Sequence, residues 1–394
     1  MRRGWALVAL NGLAVVCYGL VAWRSGYLAH IHSSVFSSVD AGSYRDVADW
    51  IFGVRANPHA SIQRPVFYPL ILGLAMRVGD EYAVWLVNVA LWFAALNLAG
   101  IAAYRFVHQM WATIVVFVVM ATNVSLIVLT FHALTETLVL ALLALWSYGL
   151  TRLTGRITPS QVVWVLLPVS LLTITKPEFE LLLGLVIVVL AVLAWRSERH
   201  ATAAVAIVLC LTPVVVQVGL MLAFNHFVGL SKIGETTIRT YYVARLYAAL
   251  AHSSDIRAQA LLTANLSNMA VVQALLAHPG EALSMFLRIL RENLLSGSNF
   301  ITASNPLLGK AVFFTNYVYA AALIVAAPLA AVALWLKRDG RLALLAAAAL
   351  NVMVAGGLSF WQGDRLTVIA LPVWLLAMTL SAAQILSRTQ KAAA

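Results

Sequence analysis

Runs of about twenty apolar residues recur from one end of this chain to the other, and a helix needs about that many to cross the hydrocarbon core of a bilayer. They lie near 5–23, 82–104, 110–128, 133–151, 160–175, 177–195, 201–224, 312–336, 342–358 and 366–386. Ten such runs take up about half of the 394 residues and are spread from end to end. Composition agrees: 62% of residues are hydrophobic and 10% are charged, with a mean hydropathy of +0.90. A soluble domain carries about 25% charged residues. The expected fold is therefore all-α, a single polytopic membrane domain over residues 1–394 with about ten transmembrane helices. Met1-Arg2-Arg3 before the first run could open a signal peptide, but no small-residue cleavage site follows and Trp23-Arg24 ends the run directly. It reads as a retained first helix.

Charge sets the expected topology. With the N-terminus inside, the inner segments hold Arg2, Arg3, Arg105, Arg152, Arg156, Arg196, Arg199, Lys337, Arg338, Arg341, Arg388 and Lys391. Those twelve cations face only Glu198 and Asp339, whereas the other side holds the remaining fourteen of 26 cations with thirteen of 15 acids. Short inner loops rich in Lys and Arg are what the positive-inside rule requires, and both termini are expected in the cytoplasm. The net charge of +11 then reports membrane topology and implies no nucleic-acid partner. Cys17 and Cys210 sit inside apolar runs, so no disulfide framework and no Cys-based metal site is readable. No cofactor is implied. His30, His32 and His59 show no metal-ligand spacing.

Two outer segments are long, residues 24–81 and 225–311. In the first, Tyr44, Val47, Ala48, Ile51 and Phe52 recur at helical spacing, with Asp40, Asp46 and Asp49 on the polar side. That predicts a helix lying on the membrane surface, opened by Asp40. Arg64-Pro65-Val66-Phe67-Tyr68-Pro69 follows, then an apolar run to Met76 that is too short to cross and reads as a dipping or interfacial segment. The second long segment repeats apolar residues at helical spacing (Ile256, Ala260, Leu261, Ala264) and is expected to be helical and partly soluble.

Ionisable groups at membrane depth are costly, so each is a functional candidate. Asp40, Glu136, Lys176, Glu178, Arg239, Arg245, Asp364 and Arg365, with Glu180, Tyr241 and Tyr242, are far apart in the chain, yet all fall on the outer side in the ten-crossing arrangement. Cations and carboxylates at an outer surface suit transfer of a sugar from a lipid-linked phosphate. The leaving phosphate needs cations to hold its charge, and an acceptor hydroxyl needs a base.

Asp40-Ala41-Gly42-Ser43-Tyr44 followed by Arg64-Pro65 and Tyr68-Pro69 resembles the first outer loop of polyprenyl-phosphate-sugar-dependent glycosyltransferases of the GT-C superfamily. That group includes the bacterial aminoarabinose transferases of lipid A and the protein O-mannosyltransferases. Glu136, Lys176-Pro177, and Arg365 ahead of an apolar run containing Pro372 extend the resemblance in the same order. This chain has one leading acid rather than an Asp-Glu pair, and about ten crossings with no large soluble C-terminal domain. The resemblance implies a GT-C-like fold and a catalytic Asp40 assisted by Glu136. It further implies Lys176, Arg239 and Arg365 on the donor phosphate. Tyr44, Arg64, Tyr68, Glu178, Tyr241 and Tyr242 would line the pocket. The partners are a polyprenyl-phosphate-linked sugar, a hydroxyl-bearing acceptor and the bilayer, at the periplasmic face of the cytoplasmic membrane.

Plainer readings compete. Asp40 could cap its helix, Glu136 could pair with His132 four residues earlier, Lys176 and Glu178 could form an interfacial pair, and Arg365 could anchor to headgroups. Arg239 and Arg245 could be solvated loop charges. A lipid or sugar transporter is the alternative function, although no internal repeat is visible; a membrane acyltransferase would rest on His132. The Asn-X-Ser sequons at Asn123 and Asn265 receive no role.

Overall fold

The computed structural model describes residues 2–54, 64–153, 157–196, 200–297, 306–337, 339–359 and 362–393. His59, Arg156, Glu198, Arg199 and Arg338 lie outside the described residues. Eighteen α-helices are labelled here in chain order. They are α1 Arg2–Ser25, α2 Ile31–Val35, α3 Val39–Ile51, α4 Phe67–Val107, α5 Met110–Ala121, α6 Val124–Leu129, α7 Glu136–Leu150, α8 Pro159–Thr173 and α9 Glu180–Trp195. They continue with α10 His200–Asn225, α11 Ile233–Thr236, α12 Ala244–Leu250, α13 Ile256–Thr263, α14 Asn268–Ala277 and α15 Pro279–Leu295. The last three are α16 Pro306–Lys337, α17 Gly340–Leu358 and α18 Leu371–Ala393. No strand occurs among the described residues.

The protein is an all-α polytopic membrane protein. Among the described residues seven helices are long and apolar enough to cross a bilayer, or up to eight if the pair α14–α15, bent by 98°, counts as one. The expected count of ten is not met on length. The runs near 110–128, 133–151 and 160–175 form helices of 12, 15 and 15 residues, about 18–22 Å at 1.5 Å per residue. The first of them stops at Thr122, and Asn123 starts α6 by accepting the Leu126 N–H at 3.0 Å. Short helices are tolerated at membrane depth where protein covers their ends, and α7 is covered almost throughout, with residues 136–144 all buried.

Burial sorts the helices. α7 and α18 are central, while α1, α10 and α16 turn most of their apolar surface outward, as lipid-facing helices do. Trp5, Trp23, Trp195 and Trp335 are exposed near helix ends, where indole rings favour the membrane–water boundary.

The apolar run to Met76 forms the first limb of α4, and it is set off from the crossing limb by a break at Gly79 (φ −169°, ψ 38°) and Asp80 (φ 51°, ψ −144°), both non-helical. The surface helix α3 packs on that limb. Gly73 lies against the Phe52 ring and the Ala48 methyl, and a Cβ there would overlap Phe52.

Candidate active site

Five segments far apart in sequence bring six ionisable side chains into one row of alternating sign. Arg64 Nη2 lies 2.5 Å from Asp40 Oδ1, and Arg365 Nη2 bonds the other oxygen of the same carboxylate. Arg365 Nε lies 4.0 Å from Glu136 Oε1, which accepts from Lys176 Nζ at 3.3 Å. Lys176 in turn lies 4.0 Å from Glu178. The row reads Arg64, Asp40, Arg365, Glu136, Lys176, Glu178, three cations and three acids. Alternation lets charges sit out of water, because each carboxylate has a cation beside it. Exposure is least in the middle of the row: the Glu136 side chain is 3% exposed, against 26% for Asp40 on one side and 21% for Glu178 on the other.

Local sequence explains how each group arrives. α3 begins one residue before Asp40, and its N-cap is Ser38, whose hydroxyl accepts the Ala41 N–H at 3.2 Å. Asp40 therefore does not open the helix and does not cap it; it stands in the first turn, where the helix dipole favours an anion. Glu136 is the first residue of α7 and gains the same benefit. Its partner is Lys176, whereas the His132 ring nitrogen Nδ1 faces the Ser34 carbonyl at 3.1 Å. Burial holds His132 well below its ordinary range, at about 4, so its ring is neutral. Arg365 is buried on Asp40 and Gln362 rather than reaching for headgroups. For Asp40, burial pushes the pKa up, but the guanidinium groups of Arg365 and Arg64 outweigh it and hold the carboxyl below its usual value.

Tyr44 and Tyr68 wall the Arg64–Asp40 side. The Arg64 guanidinium lies 4.6 Å from the Tyr44 ring centre, donates to the Tyr44 hydroxyl at 3.2 Å, and donates from Nε to Ser43 at 2.9 Å. Tyr68 is buried and meets Tyr44 edge-on at 5.1 Å. Glu178 Oε1 is buried without a hydrogen-bond partner among the described residues.

The second long loop forms its own small cluster. Arg239 pairs with Glu235 one turn earlier and donates to Asn268 Oδ1 at 2.8 Å. Tyr242 is buried and donates to the Ala282 carbonyl at 2.5 Å, while Tyr241 is half exposed. The segment Thr237–Val243 carrying them is π-helical. The described polar partners of Arg239 and Tyr242 thus lie within this loop, apart from the row of six, while the Tyr242 cluster also packs on Leu358 of α17. Burial lowers Arg245 to about 10, with Glu292 acting against it. A cavity of about 300 Å³ lies here too, between α12 and α14, lined by Leu246, Tyr247, Leu250, Gln273 and Ala274 among others.

A set of amides on the long helices was not singled out from sequence. Asn88 on α4, 1% exposed, donates to the carbonyls of Thr130 and His132 and accepts from Thr137, bracketing the turn that delivers Glu136. Gln217 on α10 accepts the Val66 N–H at 3.0 Å, tying down the turn after Arg64. Asn351 on α17 donates to the Glu178 carbonyl at 2.9 Å. Asn316 on α16 donates to Asp364, beside Arg365, at 2.9 Å. Loop backbone without water must find partners in the protein, and these side chains supply them. The trace in sequence is an amide inside each apolar run.

No family model matches this sequence, and no curated protein matches it. Among solved structures, the chain is similar to the one described as the crystal structure of ArnT from Cupriavidus metallidurans in the apo state. The identity is 15%, the TM-score is 0.41, and the match covers 98% of this chain and 78% of that one. At that TM-score the similarity carries no functional weight.

Proposed function

We propose that the protein is a GT-C-like inverting glycosyltransferase, moving a sugar from a polyprenyl-phosphate donor to a hydroxyl of a glycolipid, lipid A, glycan or protein. The reaction would take place at the outer face of the cytoplasmic membrane, with both termini inside. The observation that carries this reading is the row of six alternating charges, in which Asp40, between Arg64 and Arg365, is the most exposed carboxylate.

In the proposed reaction Asp40 takes the proton of the acceptor hydroxyl. The acceptor oxygen attacks the anomeric carbon from the face opposite the phosphate, the carbon–oxygen bond to phosphate breaks, and polyprenyl phosphate leaves with the electron pair. The configuration inverts. Arg365 and Lys176 hold the phosphate as its charge grows, a use of fixed cations that lowers the barrier where water is excluded. Arg365 suits this role because its planar fork can grip two oxygens. Glu136 keeps Lys176 and Arg365 together, and Glu178, Tyr44, Arg64 and Tyr68 form the pocket for the sugar and acceptor. Arg239, with Tyr241 and Tyr242, is proposed to meet the donor from the second long loop (residues 225–311), and the first (24–81) supplies the base. The reaction as proposed needs no cofactor.

The Arg365–Asp40 ion pair has a consequence for order. Arg365 is engaged by Asp40, so the donor phosphate competes with that carboxylate. Donor binding draws Arg365 away and leaves Asp40 more basic, ready for the acceptor.

The test is to incubate purified protein with a panel of radiolabelled polyprenyl-phosphate sugars and follow release of polyprenyl phosphate. Release with one sugar and a hydroxyl acceptor is expected. No release with any donor, from protein that remains folded, would overturn the reading.

A further inference from the structure

Arg365 lies on a single 3-10 turn, Gly363–Leu366, at the entry to α18. Asp364, its neighbour, takes no part in the row of six. It is 1% exposed, and its Oδ2 accepts both the Ser125 hydroxyl from α6 and the Asn316 amide from α16 at 2.9 Å. Its N–H donates to the Ser296 carbonyl at 2.9 Å, and its own carbonyl accepts the Thr367 N–H at 2.9 Å and the Thr367 hydroxyl at 3.0 Å. Tyr319, one turn along the same face of α16 as Asn316, donates its hydroxyl to the Thr367 carbonyl at 3.2 Å. Gly363 has φ +63°, a left-handed conformation that glycine adopts without the Cβ penalty. The turn is thus bolted to α6, to α16 and to the segment after α15. All of these bonds are on Asp364 and Thr367, and none is on Arg365.

An arginine has four rotatable side-chain bonds, so its head is only as well placed as its Cα. A buried carboxylate is an expensive way to fix a turn, since a charge without water must be met by strong donors. An apolar residue would fill the same space at less cost. What the carboxylate adds is direction: Ser125 and Asn316 lie on two different helices, and both donate to one oxygen atom. We infer that Asp364, held by Ser125 and Asn316, is a positioning residue that fixes the Arg365 guanidinium between Asp40 and Glu136. It acts on the donor through Arg365 alone. The inference rests on the proposed role of Arg365 in holding the donor phosphate.

The experiment is a double-mutant cycle on the full-length protein, with equilibrium binding of polyprenyl phosphate as the readout and turnover beside it. Asn316→Ala removes one of the described donors and is expected to weaken polyprenyl phosphate binding about tenfold, the scale of one charged hydrogen bond. The KM for the acceptor should stay within twofold. In an Arg365→Ala background, at ligand concentrations that saturate the weaker variant, Asn316→Ala should change binding by less than twofold, because no guanidinium remains to be placed. A general structural role would give the same factor in both backgrounds. Ser125→Ala repeats the cycle from the other helix and carries the test if Asn316→Ala does not fold. Additive effects, or unchanged binding in both single variants, would overturn the positioning role while leaving the proposed function standing. A wild-type protein that binds no polyprenyl phosphate would overturn both.

Discussion

Replacing Asp40 by Asn removes one negative charge from the row of six and changes little else. The size is the same, and α3 keeps its start because Ser38, not Asp40, accepts the Ala41 N–H. Two guanidinium groups lose a charged acceptor. Asn can still accept from one of them through its oxygen, but its NH2 then faces the other donor to donor. A hydrogen bond to a charged group contributes about 1.5–3 kcal/mol, and Arg365 retains Gln362 and Glu136. The expected loss of stability is therefore about 2 kcal/mol, a lower melting temperature but a folded protein. It also carries a pH signature. Asp40 has its carboxyl below the usual range in the folded state. Its contribution is fully present above the unfolded value of about 3.9 and is lost as pH falls through the lower folded value. The gap in melting temperature between wild type and Asp40→Asn should be full at pH 7 and close at acid pH, below about 4. Turnover should fall about 10²-fold or more, the scale of a general base. Donor affinity should move the other way. With the competing carboxylate gone from Arg365, and a partly exposed ion pair worth about 1 kcal/mol, polyprenyl phosphate should bind about fivefold more tightly. The assay measures turnover and polyprenyl phosphate binding on the purified variant, with Asp46→Asn as control. Near-native turnover, equal losses in both variants, or weaker donor binding in Asp40→Asn alone would refute the reasoning and move the base to Glu136.

Lys176→Met should cost about 3 kcal/mol, because it takes the closest cation from Glu136, which is 3% exposed; adding Glu136→Gln should recover more than half, as read from melting in detergent. A Lys176→Met protein as stable as wild type would mean that the pair contributes nothing. Arg365→Ala should weaken donor binding and cut turnover, and Arg365→Lys should restore binding only in part, since an ammonium lacks the fork; unchanged affinity in the alanine variant would make Arg365 a structural residue. In a background without Cys17 and Cys210, a cysteine at Ser254 should react with a membrane-impermeant thiol reagent from outside and one at Ala201 should not. Both positions are exposed, and labelling of the two from the same side would sink the proposed topology.

The class of fold was legible because hydropathy is local and additive: a run of twenty apolar residues predicts a crossing whatever its neighbours do. Where the chain departs from that, tertiary packing or a local break is the reason. The 15-residue helix α7 persists because other helices cover it, and the run to Met76 stops short of the crossing at Gly79 and Asp80, where the chain is exposed and glycine and charged residues break the helix. The residue types at the candidate site were also legible, since a carboxylate or guanidinium beside a membrane helix stands out from its surroundings. Their grouping was not. Asp40 and Arg365 are 325 positions apart, and nothing local distinguishes Arg365, buried in the row of six, from Arg239, held within its own loop by Glu235 and Asn268. The amides of Asn88, Gln217, Asn316 and Asn351 were visible as polar breaks in apolar runs, but which turn each one holds depends on which helices touch. Sequence determined that any charge this chain holds out of water must meet an opposite one. Only the packed helices decided which charges meet, because pairing energy falls off within a few ångströms and those distances are set by contacts between residues far apart in the chain.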